Sequence, residues 1–456
     1  MTVKFFVGLT FFPEVGFYRR TNYFYFINRK TGDWVAMPAH FMKILIEEYG
    51  KLSPSENFLK VFEILAKNNI LRDSRLNQKR PPLETKPLLV KIQTTGKCNL
   101  NCTYCFNNSA IRTQTMSHET MTAAVDYALS NPCALKNGIQ FIIYGGEPLT
   151  ERELFFDTVN YIREKNSAAY IGIITNATLL TDEDVEFFKS RNVQIIISFD
   201  GLPIFQASNR FGEENVLRAE KILEKIKRLK DFGCMERSCI LCTVTKNMSS
   251  RLSDIVLFLQ EQGICNLEFL PLRMLGTAEG QSQISADTGA FVSSLKKIVD
   301  AIEDGRIKNI RVRNVLRLLL PLETGQTMKG AIGCHRCSAG RNSIAINYDG
   351  SIIGCDMIPE KFSPIIGDVW GGITNLEKLD ALIEPVASEA CKKCLWFRFC
   401  RGGCVGASAS DNDSINTRHK LTCATNKELY PYLLEKLTTD GGKLHEYFVR
   451  SSTKNF

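Results

Sequence analysis

The sequence predicts an α/β protein: a partial or full parallel (β/α) barrel, preceded by a small winged-helix-like module and followed by a cysteine-stapled domain. Three observations carry this prediction. Short apolar strands alternate with amphipathic helices from Leu88 to about Glu323, the pattern that builds parallel sheets. An aromatic hairpin with short helices comes before that series. Sixteen cysteines occur in 456 residues, and eight of them fall between Gly333 and Cys423, where the alternation stops. At roughly 150 residues per domain the chain should hold two or three domains, placed here at 1–85, 88–323 and 324–456.

In the first module, Thr21 to Ile27 and Trp34 to Met37 are aromatic and β-branched runs joined by the turn-rich stretch from Asn28 to Asp33, a hairpin signal. Pro38 then opens a helical pattern through Phe41, Ile44 and Leu45 that stops at Gly50, and Ser53-Pro54-Ser55-Glu56 reads as a capping box ahead of Phe58, Val61, Phe62 and Leu65. The stretch Arg80 to Glu84, with its Pro81-Pro82 pair, reads as the linker that closes the module. Strands then follow at Leu88–Thr94, Ile139–Tyr144, Ala169–Thr175, Val193–Ser198, Cys239–Thr245 and Leu267–Leu270, each trailed by a helical pattern. Six such units imply a barrel whose catalytic groups lie at the strand C-termini.

Composition excludes several classes. Hydrophobic residues are 44% and charged residues 23%, and the net charge of +8 is not gathered into basic blocks, so no nucleic-acid partner is expected. No apolar run approaches the 18 or so residues of a membrane span. The segments near Phe5 and Phe11 are broken by Gly8, Pro13 and Gly16 and lack a small-residue cleavage site, so a cytoplasmic location without a membrane partner is expected. In such a chain dense cysteine means metal, redox chemistry or buried thiols, not disulfide scaffolding.

Spacing separates these meanings. Cys98-Asn-Leu-Asn-Cys102-Thr-Tyr-Cys105 follows directly on the first barrel strand. Three thiolates on one such loop can wrap a four-iron cluster that normally takes four cysteines, which leaves one iron open for a substrate or cofactor. The rival is a zinc knuckle, but no fourth Cys or His lies nearby. Cys391-x2-Cys394-x5-Cys400-x3-Cys404, with Cys423 after it and Cys334, Cys337 and Cys355 before it, is a second set that chance does not explain. Four cysteines at such spacing serve zinc as well as iron–sulfur. Cys133, Cys234, Cys239, Cys242 and Cys265 lack ligand spacing and read as small buried hydrophobes.

The three-cysteine motif resembles that of the radical S-adenosylmethionine (SAM) enzymes. Gly145-Gly146-Glu147-Pro148 resembles that family's segment for the SAM amino group. Thr175-Asn176-Ala177-Thr178 resembles its Thr-Asn-Gly-Thr stretch, with Ala at 177 in place of Gly. Ser198-Phe199-Asp200-Gly201, with Arg210, resembles the strand end that contacts the ribose and carboxylate of SAM. Each falls where a successive strand should end. The later cysteines resemble the SPASM extension of the same enzymes, which implies two auxiliary four-iron clusters and three in all. On that resemblance Cys355, Cys404, Cys337 and Cys334 hold the first auxiliary cluster, and Cys391, Cys394, Cys400 and Cys423 hold the second. Cys334 precedes the usual Cys-x-x-Gly of Cys337 to Gly340, so either Cys334 or Cys337 could be the fourth ligand.

The resemblance implies an activity: SAM is cleaved by one electron from the barrel cluster, and the resulting radical takes a hydrogen atom from an unactivated carbon. A donor such as flavodoxin or ferredoxin would supply the electron. Asp356 follows Cys355 as an Asp does in the anaerobic sulfatase-maturating enzymes, where it resembles a general base, although turn chemistry explains an Asp there equally well. The first module resembles the leader-peptide recognition element of maturases for ribosomally made, post-translationally modified peptides, with Tyr23 to Ile27 as the edge strand for an added peptide strand; a DNA-binding wing is its rival. The expected function is a peptide maturase that installs a thioether or carbon–carbon cross-link on a precursor peptide with a leader. The alternatives are oxidation of a Cys or Ser of the sulfatase-maturating type, and an iron–sulfur protein that only carries electrons or senses redox state.

Overall fold

The computed structural model describes residues 15–48 apart from 21 and 30, 55–71, 87–107, 113–331 apart from 325, 328 and 329, 337–400 apart from 376 and 379–388, and 402–452 apart from 440. The expected linker at 80–84, Cys334 and the first half of the expected capping box lie outside these residues.

The central layer is a parallel series of strands: β4 (Leu88–Thr95), β5 (Ile139–Gly145), β6 (Tyr170–Thr175), β7 (Val193–Ser198), β8 (Ser238–Val244), β9 (Asn266–Pro271) and the short β10 (Arg311–Val312). Side chains alternate between the two faces of a strand. Phe141, Ile143, Ile171, Ile173, Val193, Ile195 and Ile197 are fully buried in the main apolar core. The intervening residues, Lys91, Gln93, Tyr144 and Ser198 among them, take the opposite face. Helices cover the core side. Arg152–Lys165 buries Leu154, Phe155, Val159 and Ile162 at helical spacing. The helix Asp182–Ser190 opens with a capping box between Thr181 and Asp184, and buried Asp184 also receives the Arg152 guanidinium at 2.7 Å, which ties two successive helices together.

The sheet does not close on itself. β10 forms one edge, while β4 pairs with β5 on one side and, on the other, with β13 (Ser343–Ile346), in parallel, Lys91 standing opposite Ala345. The barrel is therefore partial. After a two-residue pair, β11 (Gln326–Thr327) and β12 (Gly330–Ala331), the chain runs through β13 into an antiparallel meander of β14 (Ser351–Ile353), β15 (Ile365–Asp368) and β16 (Gly372–Ile373). These strands continue the barrel sheet to eleven strands, so the third region is built onto the barrel edge. That attachment brings Cys355 and Asp356, just beyond β14, toward the face that carries Lys91. Two helices, Lys420–Thr439 and Lys443–Ser452, then return to pack on Thr288–Glu303 and Arg313–Thr324. Among the described residues no helix is long and apolar enough to cross a membrane.

The N-terminal module is a three-stranded antiparallel sheet, β1 (Val15–Arg20), β2 (Tyr23–Asn28) and β3 (Trp34–Pro38), followed by α1 (Ala39–Glu48) and α2 (Glu56–Lys67). Three expectations are corrected here. β2, read as an edge strand, is the central one, hydrogen-bonded on both sides, because β1 supplies a partner that its charged and Gly-containing sequence did not announce. The cap of α2 is Ser55, whose hydroxyl accepts from Phe58 N at 3.2 Å, and Pro38 closes β3 instead of opening α1. One face of the sheet, with Phe26, Val35 and Met37, packs on α1 and α2 through Leu45, Phe58, Val61 and Leu65. The other face joins the main core: Tyr25 and Ile27 are fully buried there. Tyr18 stacks on Tyr25 at 4.9 Å and meets Trp396 edge-on at 5.8 Å, and Trp34 Nε1 donates to Leu322 O at 2.9 Å. The module is thus docked on both the barrel and the second cysteine set.

Candidate active site

At the end of β4 the chain turns through residues 96–107, which carry Cys98, Cys102 and Cys105, all partly buried. Backbone contacts from the end of β5 and from the segments that follow β7 and β9 shape this loop. Thr103 N donates to Asn209 O at 3.0 Å and Thr277 N to Cys105 O at 2.9 Å. Gly146 N and Glu147 N donate to Thr95 O and Lys97 O at 2.9 and 2.8 Å. A Cβ on Gly145 or Gly146 would run into those same carbonyl oxygens. The two glycines are needed because the end of β5 lies directly against the cysteine loop.

The strand ends are locked by buried charge. Glu147, fully buried, accepts from Leu149 N at 3.1 Å, Thr175 Oγ1 at 2.8 Å and Asn176 N at 2.6 Å, so it staples β5 to β6. Burial pushes its carboxyl up to about 7 against those three donors. Asp200, also fully buried, accepts from Tyr104 Oη, Asn209 Nδ2 at 3.1 Å, Thr243 N at 3.1 Å and the Arg210 guanidinium at 3.2 Å. Burial works against the Arg210 charge, but the Asp200 carboxylate more than offsets it and leaves the guanidinium firmly protonated. Both carboxylates, expected beside SAM, are thus filled by protein donors. Of the other residues singled out, Pro148 opens the 3-10 turn after β5, Thr175 ends β6 and Ser198 ends β7. Asn176 Nδ2 lies 3.8 Å from Cys98 Sγ and Arg210 Nη1 4.0 Å from Cys102 Sγ. Ala177 adopts φ of +59°, the left-handed region where the resembled family carries glycine. Burial raises the Cys98 thiol to about 12, so a cation must displace its proton on binding.

Asp356 stands over the face of β4 that carries Lys91. Its oxygens receive Lys91 Nζ at 2.9 and 2.8 Å, and the ammonium lies 5.4 Å from the Tyr144 ring centre. Burial pulls the Lys91 pKa down, but the Asp356 carboxylate and the Cys355 thiol raise it beyond that, so the lysine stays charged. Cys355, pushed up to about 12 by burial, packs with Cys337 around Ala339, Ile358 and Val405. Cys404 Sγ accepts from Arg273 Nη1 at 3.4 Å. Separately, Cys391, Cys394, Cys400 and Cys423 line one cavity together with Trp396 and Asn426, whose Nδ2 reaches Cys400 Sγ at 3.5 Å. Among the described residues no three such side chains converge tightly enough for a single ion. Four thiols round one space are a donor set that suits an iron–sulfur cluster and zinc alike.

Residues 92–259 match the model of the radical SAM superfamily. The chain carries a radical SAM domain. It is an enzyme of that chemistry, with one four-iron cluster and SAM as the cofactors the domain implies. The chain is 27% identical over 391 residues to a cysteine-type anaerobic sulfatase-maturating enzyme of Clostridium perfringens, an alignment covering 78% of this chain and 98% of that one. It has the fold of a solved sulfatase-maturating enzyme, anSMEcpe with bound SAM and a Cp18Cys peptide, at TM-score 0.63 and 24% identity over 77% of this chain and 98% of that one. It also has the fold of SuiB from Streptococcus suis, solved with its precursor peptide SuiA, at TM-score 0.52 and 17% identity over 91% and 99% of the two chains.

The three cysteines of this domain fit a cluster: they share one loop, partly buried, with amide and guanidinium donors near two sulfurs. Several residues of the site went unread in the sequence. Lys91 is the lone charge in the apolar strand Leu88–Thr95, and its place in the alternation would have put it on the concave face. Arg273, Tyr104 and Trp396 carry no such signal, because their partners are 96 or more residues away or belong to another domain.

Proposed function

We propose that this chain is a radical SAM peptide maturase that takes a hydrogen atom from a precursor peptide and installs a thioether or carbon–carbon cross-link. The observation that carries this reading is the N-terminal sheet with its two helices, docked beside the second cysteine set. The SuiB fold match covers 91% of the chain, more than the residues beyond that module could supply, and SuiB was solved with a precursor peptide. A leader would add as a strand to an outer strand of the sheet, β1 or β3, since β2 is paired on both sides.

Bound to the barrel loop, the cluster with SAM supplies hydrogen-atom abstraction from an unactivated carbon. Cys98, Cys102 and Cys105 would hold three corners of that cluster and leave the fourth to SAM, with Asn176 and Arg210 donating toward two of the sulfurs. The strand-end residues Gly145, Gly146, Pro148, Thr175 and Ser198 would shape the SAM pocket, and Glu147 and Asp200 keep it rigid. Cys337, Cys355 and Cys404, with Cys334, would hold one auxiliary cluster, and Cys391, Cys394, Cys400 and Cys423 the other. Asp356 would accept the proton of the reacting side chain, and Lys91 aims its carboxylate.

A second reading is favoured by the alignment with the sulfatase-maturating enzyme over nearly all of that relative's length: oxidation of a Cys or Ser. Mass spectrometry after anaerobic turnover of the full chain with SAM and a precursor peptide separates the two. A cross-link and oxidation of Ser both make the peptide lighter by two hydrogens, so fragmentation decides between them: a cross-link joins two residues, whereas oxidation leaves one residue carrying a carbonyl, and oxidation of Cys also replaces its sulfur with oxygen. Leader binding at micromolar affinity, worth roughly 8 kcal/mol, should make the leaderless core a poorer substrate by a hundredfold or more. Equal turnover of leaderless and full peptides would remove the leader role and favour the second reading.

A further inference from the structure

The geometry points to Arg273 as the residue that sets the reduction potential of the cluster held at Cys355 and Cys404; this rests on the reading of those cysteines as cluster ligands. Arg273 lies just beyond the C-terminal end of β9 (Asn266–Pro271), on the rim of the barrel, yet its guanidinium reaches into the third region. Nη1 donates to Cys404 Sγ at 3.4 Å. That sulfur stands for a thiolate bonded to iron. The slot that admits the guanidinium is narrow: a Cβ on Gly406 would strike Met357 O and come within 3.0 Å of Arg273 Nη1. Glycine at 406 thus lets the arginine and the backbone beside Cys355 approach from two sides.

Charge makes this contact consequential. Lys91 and Asp356 neutralise each other at 2.8 Å, and Asp411 is engaged by His419 Nε2 at 2.7 Å. Among the described residues no carboxylate lies within salt-bridge distance of Arg273, whose hydrogen-bonded partner is the ligand sulfur. The guanidinium charge therefore acts on the cluster. A four-thiolate cluster gains one negative charge when it takes up one electron. A hydrogen bond to a ligand sulfur and a fixed positive charge nearby both favour the more negative, reduced form and raise the potential. Arg273 links the rim of the barrel to the cluster at Cys355 and Cys404 and tunes that cluster. It is a positioning and tuning residue, and no step of the reaction passes through it.

The test uses the full-length chain, reconstituted anaerobically, with R273Q and R273K beside the wild type. Iron is counted, and the midpoint of each reduced-cluster signal is followed by electron paramagnetic resonance during redox potentiometry with dithionite as the electron source. R273Q is expected to keep wild-type iron and to lower one midpoint, changing the ratio of reduced to oxidised cluster at fixed potential about tenfold, which is about 59 mV for one electron. R273K, which keeps the charge, is expected to stay near wild type. An unmoved midpoint in iron-replete R273Q would overturn the proposal. Loss of iron from R273Q, whatever R273K does, would make Arg273 a structural clamp and overturn it as well. The underlying reading is checked separately: a Cys355→Ala, Cys404→Ala double variant that retains all wild-type iron would show that no cluster is held there.

Discussion

Cys98, Cys102 and Cys105 come from one short loop at the end of one strand, whereas Cys337, Cys355 and Cys404 come from three separate segments that meet only after the chain has crossed the whole barrel. The first loop is shaped by backbone contacts to the strand ends, with Gly145 and Gly146 cleared to let β5 approach it. The second site depends on tertiary structure: β13 must add to β4, and only then does β14 deliver Cys355 and Asp356 beside Lys91. The difference teaches where order comes from. The barrel loop is shaped locally by its scaffold, while the later cysteines are brought together only by sheet pairing between segments far apart in the chain.

The sharpest way to break this comparison lies at the joint between the two regions. Asp356→Asn removes a proton acceptor but keeps the side-chain shape and its contact with Lys91. Product formation is expected to fall 10²- to 10⁴-fold, with iron content and deoxyadenosine formation kept. Chromatography of both products from one anaerobic reaction checks this. Undiminished cross-linking would return Asp356 to a turn role.

A smaller effect is expected inside the pre-shaped half. Burial holds Glu147 at about 7, above its ordinary value of 4.5. Between those two values the folded chain keeps a proton that the unfolded chain has lost, so this group's contribution to stability falls as pH rises through that window, by roughly 3 kcal/mol in all. Glu147→Gln should flatten that slope. It should also cost about 1–3 kcal/mol, because one oxygen that accepts from a neighbour becomes a donor. Anaerobic urea unfolding of both proteins at either end of the window measures the difference, and parallel pH profiles would contradict it.

The alternation of strands and helices from Leu88 onward was legible because each unit is local, and the six full strands stand where the apolar runs fall. So was the cysteine loop, whose ligands lie within one turn of chain. That the later cysteines form a set was also readable from their spacing, and Cys391, Cys394, Cys400 and Cys423 do line one cavity. Their surroundings were not: Arg273 approaches Cys404 across 131 residues, and Lys91 approaches Asp356 across 265. The central position of β2 was missed because a strand's neighbours depend on pairing, and β1, with Gly16, Arg19 and Arg20, lacks the β-branched, aromatic density of β2. The docking of the module was missed for the same reason. Tyr25 and Ile27 look like one face of a small independent sheet until Tyr18 is seen against Trp396.

The central claim is that two differently built cysteine regions hold clusters of two kinds, one open and two fully ligated. Iron and acid-labile sulfide per chain, measured after anaerobic reconstitution of the wild type and of the Cys98→Ala, Cys102→Ala, Cys105→Ala variant, test it most directly. The account expects about 12 irons in the wild type and about 8 in the variant, with SAM cleavage abolished. Stoichiometric zinc with no more than about 4 irons in the wild type would contradict it.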